Sequence, residues 1–183
     1  MSNTVEKMQS SSFTPPTLRS MQTEDADAVL RIYQEGIDTE NATFTAKASE
    51  WSDWNQSHLP NCRIVATIDS IVVGWAALSG VSSRCVYDGV AEVSIYVSPS
   101  VLGKGIGSML MKALVKESEE SGIWMLQASI FPENEGSIAL HRKFGFRIVG
   151  MRKKIARMNY GKMNGTWRDV AFVERRSSIV GLD

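Results

Sequence analysis

The spacing of apolar and polar positions changes period several times along the chain, and each change predicts an element. Ala26, Val29, Leu30, Tyr33 and Ile37 recur at helical spacing. Thr23 and the acidic run Glu24, Asp25 and Asp27 stand just ahead, where a helix start favours a capping oxygen and negative charge. A second helix is predicted around Trp51, Trp54 and His58, with its tryptophans in the core. The period then falls to two. Arg63 to Ile68 and Ile71 to Leu78 read as a hairpin around Asp69-Ser70, and Ala91 to Val97 as a further strand. In that strand Val93, Ile95 and Val97 face one way, and Glu92, Ser94 and Tyr96 the other.

Helical spacing returns at Ile106, Met109, Leu110, Ala113 and Leu114, in a helix that ends near Gly122. Trp124 to Phe131 predicts a strand, Asn134 to Phe144 a helix closed by Gly145. Arg147 to Arg157 and Thr166 to Glu174 predict two last strands around a Lys162–Gly165 turn. No repeat or break in composition divides this run, so residues 18–176 are expected to form one α/β (α+β) domain. Residues 1–17, polar and carrying Pro15-Pro16, are expected to be a flexible tail, and residues 177–183 a C-terminal tail.

Composition narrows the function classes. The 183 residues carry 20 basic and 20 acidic side chains, so the basic footprint of a nucleic-acid binder is missing. No apolar run reaches the roughly 18 residues of a membrane span. The N-terminal residues lack the apolar core of a secretory signal, which makes the cytoplasm the expected location. Two cysteines, Cys62 and Cys85, are too few for a disulfide framework or a structural zinc site, and both are expected as buried thiols. Neither they nor the histidines suggest a metal.

The chemistry concentrates where the Ala91–Val97 strand hands over to the next helix. Gly103, Gly105 and Gly107 alternate there. The first N–H groups of a helix have no partners inside it and lie at the positive end of its dipole, so they favour an anion. Glycines let a backbone come close and adopt positive φ. Leu102 to Ser108 is therefore a candidate cradle for a pyrophosphate. It is not a Walker loop, because no Ser or Thr follows Gly103-Lys104. Nor is it a dinucleotide fingerprint, because the spacing is GxGxG.

Leu102-Gly103-Lys104-Gly105-Ile106-Gly107 resembles the acetyl-CoA loop [QR]xxGx[GA] of the GNAT superfamily of acyltransferases, with Leu102 in place of Gln or Arg. AEVSIYVSP before it, IFPENEGSIALHRKFGF after it and GTWRDVAF near the end resemble the phosphinothricin and methionine sulfoximine N-acetyltransferases within that superfamily. The resemblance spans about Leu18 to Glu174. It implies a GNAT fold: a mixed, mostly antiparallel sheet of about seven strands, splayed at its centre, with about four flanking helices. It implies acetyl-CoA as co-substrate, a small amino-acid-like amine as acceptor and a homodimer.

N-acetylation requires an amine stripped of its proton, a polarised carbonyl oxygen and a departing thiolate. Glu92 interrupts an apolar strand, and the resemblance places the family's base carboxylate there. A backbone N–H near Val97 is implied as the polarising group. The resemblance also implies that His141 stands at the helix position near the CoA sulfur, where it would donate a proton or hold geometry. The implied donor contacts are Tyr96, Val97, Leu102, Gly103, Lys104, Gly105, Ile106, Gly107, Ser108, Asn134 and Ser137. Arg84 and Tyr87, just before the Glu92 strand, are candidates for an anionic group of the acceptor, and Phe44 and Trp75 for an apolar wall. The alternatives are a protein or peptide N-acetyltransferase, or a non-catalytic acyl-CoA sensor that keeps the cradle but not the chemistry.

Overall fold

A computed structural model of the chain describes residues 14–182. The first thirteen residues of the expected N-terminal tail, and the final residue, lie outside the described part.

Among the described residues, seven strands and four α-helices follow one another. They are β1 (Thr17–Ser20), α1 (Ala26–Asp38), α2 (Trp51–Ser57), β2 (Ile64–Ile68), β3 (Ile71–Gly80) and β4 (Val90–Val97). There follow α3 (Ile106–Glu120), β5 (Met125–Ile130), α4 (Glu135–Lys143), β6 (Arg147–Arg157) and β7 (Trp167–Arg176). One sheet holds all the strands in the order β1-β2-β3-β4-β5-β7-β6. Every pairing is antiparallel except β4 with β5, which α3 connects.

Helices cover both faces. Ile106, Leu110, Met111 and Leu114 of α3 pack on Ile64, Ala66, Ala76, Leu78 and Val93. Val29 and Ile32 of α1 and Trp54 of α2 pack on Val65, Trp75 and Ala77. This explains why Ile64, Val65 and Ala66 of β2 are apolar in succession, since they are buried on alternate sides. The β2–β3 turn forms at Asp69 and Ser70, both in the left-handed region at φ 49° and 66°. Short polar residues tolerate that conformation, which matches the twist of a two-residue hairpin.

Three expectations are corrected. β1 takes in Thr17, which had been assigned to the tail, and its four residues pair with β2. The C-terminal residues are docked rather than a free tail. Ser177 Oγ donates to Glu119 at 2.9 Å, its N–H donates to Trp124 O, and Gly181 packs against the Trp124 ring. Cys62 is buried, but Cys85 is exposed in the turn before β4.

Candidate active site

The parallel ladder between β4 and β5 has only three rungs: Val90–Met125, Ala91–Leu126 and Glu92–Gln127. Beyond Glu92 the strands part, although β4 stays paired with β3 as far as Val97 and β5 with β7 as far as Ile130. The result is a wedge open between two held strands. A cleft of about 990 Å³ occupies it, walled by β4 from Glu92 to Val97, β5 from Ala128, the glycine turn, α4 and residues 33–44.

The open edge of β4 carries unpaired backbone groups. Ser98 N–H donates to Val73 O on β3 at 2.8 Å. Alternation along an antiparallel strand then turns the N–H groups of Val97 and Ile95 toward the wedge. Glu92 sits at the apex, on the last rung. It is half-buried, and Gln127 Nε2 donates to its Oε2 at 3.1 Å.

At the glycine turn, Gly103 and Gly105 are left-handed, at φ 79° and 78°, and a Cβ on either would meet nothing within 4 Å. Gly105 is the N-cap of α3, and no side chain caps that helix start. Its first N–H groups therefore face open space at the positive end of a fifteen-residue helix. Lys143 Nζ reaches across from α4 to Ser108 Oγ at 3.2 Å. This uncapped glycine turn beside an ammonium fits the pyrophosphate of acetyl-CoA, which such a site would hold by backbone amides and charge.

His141 lies in the α4 wall and is 2 % exposed. Its Nδ1 is 2.8 Å from Ser137 O, a contact that only an Nδ1–H can make. Burial lowers its pKa from 6.5, and the Ser137 carbonyl opposes that only in part. The neutral ring thus presents a bare Nε2, which is buried without a partner. Such a nitrogen accepts a hydrogen bond and has no proton to donate. Asn134 caps α4, with Oδ1 accepting from Ser137 N–H at 3.1 Å, while its Nδ2 donates to Asn41 O. Its amide already serves cap and loop, although it also lines the cleft.

Most of the residues expected from the sequence converge on the wedge: Glu92, His141, Tyr96, Val97, Leu102, Gly103, Gly105, Ile106, Gly107, Ser108, Asn134, Ser137 and Phe44 all line it. Lys104 is exposed and outside the lining. Trp75 is sealed in the core, where its Nε1 donates to Val29 O and its ring stacks beneath Tyr96 at 4.9 Å. Tyr96 faces the cleft and thereby shields it. Burial pushes the Tyr96 phenol far above its ordinary pKa.

Arg84 and Tyr87 are also not in the wall. They pair with each other, the guanidinium carbon 5.6 Å from the ring centroid, on the segment leading into β4. β4 runs from that segment toward the wedge, so its first rung closes the sheet between them and the cleft. The structure adds Tyr33, Phe131 and Lys143, which sequence reasoning passed over. Tyr33 read as an ordinary core-facing helix position, and a lysine near a helix end has no distinguishing sequence signal. Among the described residues, no helix is long and apolar enough to cross a membrane.

A wedge between parallel strands with an uncapped glycine turn at its mouth can take an extended chain that ends in an anionic group. Residues 26–146 match the acetyltransferase (GNAT) family, and the chain belongs to it. The chain is 26% identical over 164 residues to an L-methionine sulfoximine/L-methionine sulfone acetyltransferase of Pseudomonas aeruginosa, covering 86% of this chain and 92% of that one. It is 28% identical to a phosphinothricin N-acetyltransferase of Streptomyces viridochromogenes, covering 88% of this chain and 87% of the other. The crystal structure of a GNAT phosphinothricin acetyltransferase from Sinorhizobium meliloti in complex with acetyl-CoA superposes with a TM-score of 0.80 at 28% identity, over 92% of this chain and 91% of that one.

Proposed function

We propose that this chain moves an acetyl group from acetyl-CoA directly to the amine of a small amino-acid-like substrate, with Glu92 as general base. The acceptor is phosphinothricin, methionine sulfoximine or sulfone, or a related L-amino acid, as in the relatives' names. The observation that carries this reading is the position of Glu92, a half-buried carboxylate at the apex of the wedge.

Acetyl-CoA supplies an activated thioester carbonyl when bound. The amides from Gly103 to Ser108 and the Lys143 ammonium hold its pyrophosphate. The outward N–H groups of β4 near Val97 pair with its extended arm and polarise the carbonyl oxygen. Glu92 takes a proton from the acceptor's ammonium, directly or through a water, and Gln127 orients the carboxylate; the freed amine bonds to the thioester carbon, the C–S bond breaks, and coenzyme A departs as a thiolate that takes up the second amine proton directly or from solvent. Tyr33 and Phe44 line the acceptor end. His141 in its neutral Nδ1–H form accepts a hydrogen bond at Nε2 and keeps the α4 wall in place, so geometry rather than proton donation is its part. The same proposal has the chain act in the cytoplasm as a homodimer, and apolar side chains left exposed on the edge strand β6 support the latter.

The test is release of free thiol from acetyl-CoA with an amine panel: phosphinothricin, methionine sulfoximine and sulfone, common amino acids and N-terminal peptides. Glu92→Gln runs beside the wild type. Turnover with the small acceptors, lowered about 10²- to 10⁴-fold in the variant with donor affinity intact, supports the reading. Release with peptides alone keeps the donor and overturns the acceptor. Binding of coenzyme A without any turnover makes the chain a sensor.

A further inference from the structure

We infer that Arg168 is a positioning residue for the acceptor, one that fixes the segment 39–44 and joins it to the start of α4. The inference rests on the proposed acetyl transfer only in taking this part of the cleft as the acceptor's side.

Thr39, Asn41, Ala42, Thr43 and Phe44 contribute to the cleft wall, yet the segment belongs to no helix or strand. Its backbone even passes through the left-handed region at Glu40, at φ 58°. A wall of this kind keeps its shape only if side chains from elsewhere hold it. Arg168, on β7, is 5 % exposed and does this with both ends of its fork. One terminal nitrogen donates to Glu40 O at 2.7 Å, and the other to Asn41 Oδ1 at 2.8 Å and Glu133 Oε2 at 2.9 Å. The guanidinium carbon lies 3.5 Å from the centroid of the Phe131 ring, and that ring meets Phe44 edge-on at 4.8 Å.

One planar group thus touches the wall segment, the residue before the α4 cap and the aromatic that backs Phe44. The circuit closes through Asn134, the α4 cap, whose Nδ2 donates to Asn41 O at 3.1 Å. Tyr160 O–H adds a bond to Thr43 O at 2.8 Å and Lys162 N–H one to Glu40 Oε2 at 2.7 Å. These secure the segment from the β6–β7 turn, but neither reaches Asn41 or α4. A lysine at 168 would keep the charge but not the fork, and could not serve Glu40 and Asn41 in one plane while lying flat on Phe131.

The experiment is steady-state kinetics of Arg168→Lys with both substrates varied, together with hydrogen exchange of the free proteins. The expected result is an amine KM raised about tenfold to hundredfold with the acetyl-CoA KM within about twofold, and faster exchange at residues 39–44. Asn41→Ser, which removes the carboxamide whose oxygen Arg168 holds and leaves the Asn41 backbone carbonyl in place, is expected to move both readouts the same way by less. It carries the test if Arg168→Lys does not fold. A lowered melting temperature with the amine KM and the exchange of 39–44 unchanged would overturn the inference and leave Arg168 as packing alone. If the wild type acetylates no amine, the proposed function fails, while exchange at 39–44 still decides whether Arg168 fixes the wall.

Discussion

Gly105→Ala separates what the glycine turn does for the fold from what it does for the donor. Gly105 sits at φ 78° and an added Cβ would meet nothing within 4 Å, so the substitution clashes with no protein atom. The fold loses only the left-handed preference of glycine, about 1 kcal/mol. For a chain of this size that lowers the melting temperature by about 2–4 °C. The new methyl projects at an uncapped helix start, where the proposed function brings the pyrophosphate against the backbone. Each charge-assisted bond lost there is worth about 1.5–3 kcal/mol, so the Kd for acetyl-CoA should rise tenfold or more, to about a hundredfold. The same helix supplies a control. Gly122, just past its C-terminal end, has φ 77° and equally open surroundings, but lies outside the cleft lining. Gly122→Ala should lose the same stability and keep the donor Kd within about twofold. Calorimetric titration with acetyl-CoA and thermal melts of both variants measure the two effects. Equal donor affinities in the two variants would refute the assignment of the Leu102–Ser108 turn as the cradle.

Two further outcomes follow from packing and burial. Gly36 lies within α1, where a Cβ would come within 2.6 Å of the Tyr96 ring, itself packed against Trp75 and Tyr33. Gly36→Ala gains about 1 kcal/mol of helix propensity but overpacks a ring that cannot turn away, at a cost of about 1–3 kcal/mol; a net loss in denaturant unfolding is expected, and a net gain would refute the packing argument. His141 has its pKa lowered by burial, so between that depressed value and 6.5 the unfolded chain binds a proton that the folded one refuses. Its contribution is complete above about pH 6.5 and is lost as the pH falls below it; His141→Gln should flatten the acid side of the stability profile, and identical profiles would show that burial of the neutral ring is not what the pH reads.

The sequence made the frame legible because the frame is built from periodicity and capping. α4 spans Glu135–Lys143 between an Asn134 cap and Phe144, as the pattern predicted, and β6 has its predicted bounds. The positions of Arg84, Tyr87 and Trp75 were not legible, because they depend on which end of β4 opens, and no pattern in the chain records where a parallel ladder stops. Trp75 alternates onto the same face as a residue of the wall, but a second ring lies between it and the cleft. Lys143, Gln127 and Arg168 likewise left no mark in the sequence: Lys143 and Gln127 act on partners 35 positions away, and Arg168 reaches Glu40 and Asn41 more than 120 positions away, so spacing along the chain carries no trace of these contacts.

The two halves of the cleft are held in different ways, and this bears on what can vary. The end proposed for the donor depends on backbone: left-handed glycines, the free amides of a helix start and the outward N–H groups of β4. Replacing a neighbouring side chain, such as that of the exposed Leu102 at the start of the turn, leaves those groups in place. The end proposed for the acceptor depends on side chains that are themselves propped by side chains, Phe44 by Phe131 and the segment 39–44 by Arg168. Substitutions there reshape the wall without touching a donor contact. Acceptor preference can therefore shift within this fold at constant donor affinity, and the split between the amine KM and the acetyl-CoA KM is the quantity in which such a shift appears.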